Sequence, residues 1–281
     1  MPVPYSAGQE TRMKLRLGVL VAGTVLVSTV GNPAEPPPLR VGMDTRSRPW
    51  AFVPGLDYTK ENWDEPPRIS PAQLDELRGL DVDFVKALGN HLHTVPKIVP
   101  AAWSHIEEGL LDKRYDVIVN AWVPNSKTPA SIVASVPYCE WGLVIATKSS
   151  NRSVQGFQDL AGTRVGYYND PVVLRSAKTL QAQALLPFDD SDSLFEALGS
   201  GRLDAVVEDS TYVLWRVTHD PDFRVAGEPL NKLGYFMAMR KEDQSLRERI
   251  DAAIHEIVQS GESEKIRQHW ATGTDTPGPR G

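Results

Sequence analysis

The chain states one pattern twice, and that repetition limits the folds open to it more than any other feature. Leu39-Arg40-Val41-Gly42 opens the first copy as an apolar strand. Trp103 to Leu111 then reads as a helix and leads into Arg114-Tyr115-Asp116-Val117-Ile118-Val119-Asn120. Thr163-Arg164-Val165-Gly166 opens the second copy, and Ser193 to Leu198 is its helix. Gly199 and Gly201 stop that helix before Arg202-Leu203-Asp204-Ala205-Val206-Val207-Glu208. Each copy is therefore an Arg-Val-Gly strand, a helix, and Arg-x-Asp ahead of a short buried strand. Short β-branched runs alternating with amphipathic helices build parallel sheets through right-handed crossovers. A unit this long is no solenoid repeat, so the pattern predicts an α/β protein with two lobes of like topology.

The remaining segments attach to this frame. Asp83 to Leu92 places Phe84, Val85, Leu88 and Leu92 on one helical face. Residues 54–79, rich in proline, charge and aromatics, are too poor in periodic apolar residues for a core element. They read as a surface insertion with a short helix from Pro71 to Leu77. Tyr235 to Met239 reads as one strand. Leu246, Ile250, Ile254 and Ile257 mark an amphipathic helix, Ile266 and Trp270 a short terminal helix that docks back, and 272–281 a flexible tail.

Lys14 and Arg16 precede an apolar run from Leu17 to Val30, and Gly31 to Pro38 breaks any helix there. Residues 1–34 thus have the layout of a signal peptide, with Met13 as an alternative start, and the apolar run is short for a membrane span. The expected location is the periplasm. A net charge of −6 argues against a nucleic-acid partner, whose phosphates require a basic surface. The single cysteine, Cys139, rules out an intramolecular disulfide and follows no lipid-anchor pattern; it reads as a buried apolar filler.

Taken in order, these strings resemble the family 3 extracellular solute-binding proteins, the amino-acid receptors of ABC transporters. The carrying residues are Leu39 to Asp44, Pro49-Trp50-Ala51-Phe52, Gly79-Leu80-Asp81-Val82-Asp83-Phe84, Trp103 to Asn120, Val136-Pro137-Tyr138, Asp159 to Gly166 and Gly201 to Ser210. The resemblance spans Leu39 to Trp270. It implies a two-lobed periplasmic-binding-protein fold of type II, two α/β lobes joined by two hinge strands. Residues 39–146 plus 232–271 would form lobe 1, and 147–231 lobe 2. It further implies a monomer that closes on a small-molecule ligand, presents it to an ABC transporter permease, and catalyses nothing. No metal or cofactor is expected.

The resemblance also indicates where a ligand would sit, and where this chain departs from the pattern. The family's carboxylate-clamping arginine position holds Thr128; Lys127 lies beside it, either as a point charge on the ligand or as a solvated surface residue. Where the family has Gly-Thr-Thr, this chain has Asn169-Asp170-Pro171, and a helix-capping Asp170 would repel a carboxylate. Asp209 matches the ammonium-binding aspartate. Asp44, Trp50, Phe52, Asn120 and Trp122 fall on loops expected to face the cleft, the aromatics either stacking on ligand or packing in the core. A cationic or neutral guest fits these residues better than an ordinary α-amino acid.

Other chemistry finds less support. His91-x-His93 lacks a third metal ligand, and Asp189-Asp190-x-Asp192 reads as a helix cap in place of a calcium loop. Two alternatives stay open. One is a dehydratase of the cyclohexadienyl type on the same scaffold, with Glu140 or Asp209 as general acid. The other is a protein-binding role for the aromatic insertion over a vestigial cleft.

Overall fold

A computed structural model describes residues 38–58 and 61–272. The expected leader (1–34) and all but the first residue of the expected tail (272–281) lie outside them. Lobe 1 begins with β1 (Arg40–Met43), β2 (Arg46–Ser47) and β3 (Ala51–Phe52). It continues through α1 (Pro71–Asp75), α2 (Leu80–Leu92), β4 (Lys97–Pro100), α3 (Ile106–Leu111), β5 (Val117–Ile118) and β6 (Ile132–Ala134). β7 (Cys139–Trp141) carries the chain across. Lobe 2 holds β8 (Leu143–Lys148), β9 (Arg164–Tyr168), α4 (Pro171–Ala177), β10 (Ala184–Phe188), α5 (Ser191–Gly199), β11 (Ala205–Asp209), α6 (Ser210–His219) and β12 (Phe223–Ala226). β13 (Leu233–Tyr235) returns to β14 (Ala238–Arg240), α7 (Gln244–Gln259) and α8 (Glu262–Thr272).

The two main sheets repeat one design. Lobe 1 has the order β4-β1-β5-β14-β6 and lobe 2 the order β10-β9-β11-β8-β12. In each, the opening strand is parallel to both neighbours. In each, the antiparallel strand beside the third is the one that has just left a crossing strand, β14 after β13 and β8 after β7. β7 and β13 pair antiparallel, with Cys139 opposite Tyr235, and so form the two-strand hinge.

The repeated residues have repeated jobs. Arg40 clamps Asp116 through Nη2 (2.6 Å) and Nε (3.1 Å), and Arg164 clamps Asp204 likewise at 2.7 and 3.0 Å. Both aspartates return a backbone N–H to the arginine carbonyl at 2.9 Å. The glycine after each Arg-Val is needed for close approach. A Cβ on Gly42 would lie 2.4 Å from the Tyr115 ring, and one on Gly166 2.4 Å from Leu203. Tyr115 and Leu203 are the middle residues of the two Arg-x-Asp strings, so each motif staples its strand pair and fills the space above its glycine.

Helix faces follow the apolar periodicity. Phe84, Val85 and Leu88 of α2 and Ile250, Ile254 and Ile257 of α7 are buried. α8 ties both lobes together: Trp270 donates to Asp83 (2.9 Å), Ser263 to the Tyr138 carbonyl (2.9 Å), and Thr218 of α6 to the Ala271 carbonyl (3.1 Å). Among the described residues no helix is long and apolar enough to cross a membrane. Cys139 is buried and free, and burial raises its thiol pKa.

Three expectations need correction. Tyr235 to Met239 is not one strand: Tyr235 pairs in the hinge and Ala238 in the lobe 1 sheet, because the chain changes layers between them. The helix read from Trp103 starts as a 3₁₀ turn at Trp103–His105. The insertion carries its short helix but is not all surface, since Tyr58 and Leu77 are buried and the Tyr58 hydroxyl holds both backbone groups of Val53.

Candidate functional site

The carboxyl ends of the lobe 2 strands deliver two acids to the lobe junction. β11 ends in Glu208-Asp209, and the chain turns directly into α6 there. Asp209 caps that helix, its Oδ1 accepting from the Thr211 amide (2.7 Å), while Oδ2 accepts from the Tyr235 hydroxyl. Glu208 folds back, its Oε1 accepting from the Asp209 amide (2.9 Å) and its Oε2 from the Ser191 hydroxyl (3.1 Å). Both are buried, and neither is in an ion pair among the described residues. Burial pushes Asp209 up to about 7 and Glu208 up to about 8, because a carboxylate removed from water with no cation beside it favours the neutral form.

Lobe 1 contributes a third such acid. Asp81, in the first turn of α2, accepts from the Tyr138 hydroxyl (2.6 Å) and the Ala121 amide (2.7 Å). Burial lifts its pKa to about 7, and the charge of Asp209 adds to the rise. Tyr138 and Tyr235 are backbone-paired at the hinge, the Tyr138 amide donating to the Tyr235 carbonyl at 3.0 Å. Each lobe thus sends one acid from a helix start to a tyrosine of the hinge region.

Aromatic rings surround these acids. Trp50 of lobe 1 stacks on Tyr212 of α6 (centroids 6.4 Å) and meets Tyr235 edge-on (6.5 Å). Tyr235 in turn stacks on Trp141 (5.2 Å). Gly79 sets the Trp50 loop. Its φ of +143° suits glycine, and a Cβ there would lie 2.0 Å from the Trp50 carbonyl. The first amides of α2 can then hold that loop, Leu80 donating to Pro49 and Asp81 to Trp50, both at 3.0 Å. The Trp141 indole N–H is buried and lacks a hydrogen-bond partner.

Of the residues singled out from sequence, the structure brings Trp50 and Asp209 together at this junction. Asp44 takes a different role. It is ion-paired with Arg46 (2.8 and 2.9 Å), both side chains fully buried, and it accepts from the Trp103 amide (3.0 Å). Asn120 supports it by accepting from the Asp44 amide. Phe52 packs in the core against Trp270 (5.9 Å), and Trp122 is buried in lobe 1, donating to Glu107 at 2.9 Å. Both therefore follow the core-packing reading. Thr128, in the arginine position, also donates to Glu107 (3.3 Å), and Lys127 is exposed. Asp170 caps α4 through the Val172 amide (2.7 Å) with Pro171 in the first helical position, and Asn169 is exposed, donating to Asp189 at 3.0 Å. Asp190 caps α5. Among the described residues, no three His, Cys, Asp or Glu side chains converge as a metal site.

Comparison with known proteins places the chain in context. The family model described as bacterial extracellular solute-binding proteins, family 3, matches residues 62–273. The L-cystine-binding protein TcyJ of Escherichia coli (strain K12) is 26% identical over 210 residues, which are 73% of this chain and 78% of that one. Among solved structures, an ancestral arginine-binding protein bound to arginine has a TM-score of 0.61 and 28% identity over 83% of this chain and 97% of its own. The ancestral amino acid-binding protein AncCDT-1, a precursor of cyclohexadienyl dehydratase, has a TM-score of 0.63 at 23% identity, over 83% and 94%; that likeness is one of fold.

Proposed function

The chain belongs to the bacterial extracellular solute-binding proteins, family 3, and from that premise we propose that it captures a small organic cation between its lobes. The one observation that carries the reading is the trio Asp81, Glu208 and Asp209: three buried acids at the lobe junction, none ion-paired among the described residues. Burying acids without counter-charge is costly, and a ligand ammonium or guanidinium supplies that charge. The facing Trp50, Tyr212 and Tyr235 rings add surfaces that attract cations. Thr128 in place of the arginine clamp argues against an ordinary α-amino acid, whose carboxylate then has no guanidinium partner. On this reading residues 1–34 direct the chain to the periplasm, where it acts as a monomer and hands its ligand to an ABC transporter permease.

The test is thermal stability against amines, quaternary ammonium compounds, agmatine, arginine, neutral amino acids and sugars. A ligand at one hundred times its dissociation constant adds about 2.7 kcal/mol. Stabilisation by amines with none by neutral amino acids supports the reading. Equal stabilisation by alanine or glutamine sinks it. No stabilisation by any compound shifts weight to a protein-binding role for the 54–79 insertion. A dehydratase reading draws on one feature, a buried carboxyl at Asp209 that titrates near neutrality as a general acid must. Product release from prephenate or arogenate decides it.

A further inference from the structure

Tyr235 stands where two lobes and a hinge meet, and its hydroxyl is fully used. A phenol has one proton to give and two lone pairs to fill. The Tyr235 hydroxyl donates to Asp209 of lobe 2, accepts from the Trp50 indole N–H of lobe 1 (3.2 Å), and lies 3.0 Å from the Thr211 hydroxyl, which completes the set as a second donor. The oxygen is buried, the tyrosine being 1% exposed, and its ring is fixed between Trp141 and Trp50. Asp209, the residue expected to take a ligand ammonium, thus already has a donor from its own chain on each oxygen, the Thr211 amide on Oδ1 and the Tyr235 hydroxyl on Oδ2. The Trp50 ring meanwhile lies flat on Tyr212 across the junction.

We propose that the Tyr235 hydroxyl latches the two lobes together and holds the Asp209 oxygen that a ligand cation would take, so that the cation must displace it. The latch rests on the proposed cation site for its purpose, but its geometry is independent of which ligand, if any, binds. Two bonds at one oxygen reach opposite lobes, so losing that oxygen severs the bonded route from Trp50 to Asp209 in a single step. Ligand entry requires the latched form to open, and apparent affinity falls by the fraction of molecules that are not open.

The experiment compares the purified chain with Tyr235→Phe, which keeps the ring, and Trp50→Phe, which removes the indole donor and shortens the ring that stacks on Tyr212. Small-angle scattering without ligand gives the primary readout. The wild type is expected to be compact, with a radius of gyration that saturating arginine leaves unchanged. Tyr235→Phe is expected to be larger, and Trp50→Phe to fall between. A wild type already as extended as Tyr235→Phe, or a Tyr235→Phe as compact as wild type, overturns the latch. Thermal unfolding checks that both variants are folded. Titration with agmatine and arginine is the second readout: Tyr235→Phe should bind about tenfold tighter or better, because the ligand no longer replaces a hydrogen bond to a carboxylate. Weaker binding by Tyr235→Phe overturns the displacement. If neither protein binds either probe, the cation reading fails, while the scattering comparison still decides the latch.

Discussion

Lobe 1 and lobe 2 are built alike away from the hinge and unlike beside it. Each opens with an arginine clamped to an aspartate, Arg40 to Asp116 and Arg164 to Asp204, and each covers its glycine with the residue before that aspartate. At the other end of the sheets the likeness stops. The acid that follows β1, Asp44, is neutralised by Arg46 at the start of β2. Among the described residues, the acids that end β11, Glu208 and Asp209, have only hydrogen bonds. The frame is therefore duplicated and the charge is not; on the proposed reading, ligand charge is read mainly by lobe 2 while lobe 1 supplies Trp50 and Asp81.

The sharpest way to break this comparison is to remove matching acids. Asp44→Asn should cost about 3–5 kcal/mol of folding stability, because it leaves Arg46 buried without its main partner. Glu208→Gln should cost little or stabilise. Urea unfolding of the pair tests this, and equal losses would mean that lobe 2 holds a compensating cation. Next in size is affinity: Asp209→Asn should lose about 2–5 kcal/mol of binding to whichever cation stabilises the wild type, while Lys127→Ala binds as wild type does. Calorimetric titration separates the two, and loss of binding on Lys127→Ala would restore the carboxylate clamp.

A smaller effect concerns pH. Asp81, Glu208 and Asp209 are all raised above their ordinary values, so the folded chain holds protons that the unfolded chain releases. Their stabilising share is complete below about pH 4. It drains away as pH climbs from there and is spent at about 7 to 8, where these groups ionise in the fold. Ligand-free stability should accordingly decline between about pH 4 and pH 8 and level off above, and a saturating cation should flatten the slope. The opposite slope comes from Asp116 and Asp204, which arginine clamping holds low and which lose their contribution only in acid. Smallest of all, Arg40→Ala and Arg164→Ala should lower the melting temperature slightly and by similar amounts, and additively in combination because the staples lie in different lobes.

The duplicated frame is legible in the sequence because it rests on local spacing: Arg-Val-Gly, Arg-x-Asp and the helix between them act within each lobe. Asp209 and Trp50 are legible through the resemblance. Phe52 and Trp122 show the limit of that route, since loop position does not distinguish a ring facing the cleft from one facing the core. Tyr235 reads only as a strand residue, because its partners Trp50, Thr211 and Asp209 lie 24 or more residues away and meet it only after the hinge has formed. Asp81 hides inside a helix start for the same reason. Asp44 illustrates the reverse, an acid whose neutralising Arg46 is two residues away and whose pairing spacing alone makes plausible.

The terminal helix turns a question of folding into one of mechanics. α8 is pinned to α2 by Trp270 and Asp83 and to the hinge by Ser263, yet it also touches α6 of lobe 2 through Thr218 and Ala271. A swing of lobe 2 about the two hinge strands would therefore also disturb the α6–α8 contact. On the proposed reading, in which the lobes close on a ligand, lobe 2 must slide past the end of α8 or drag it along, so that helix acts as a brake shoe. A fluorophore on α8 beside Ala271 would report any such movement, because α8 meets α6 there.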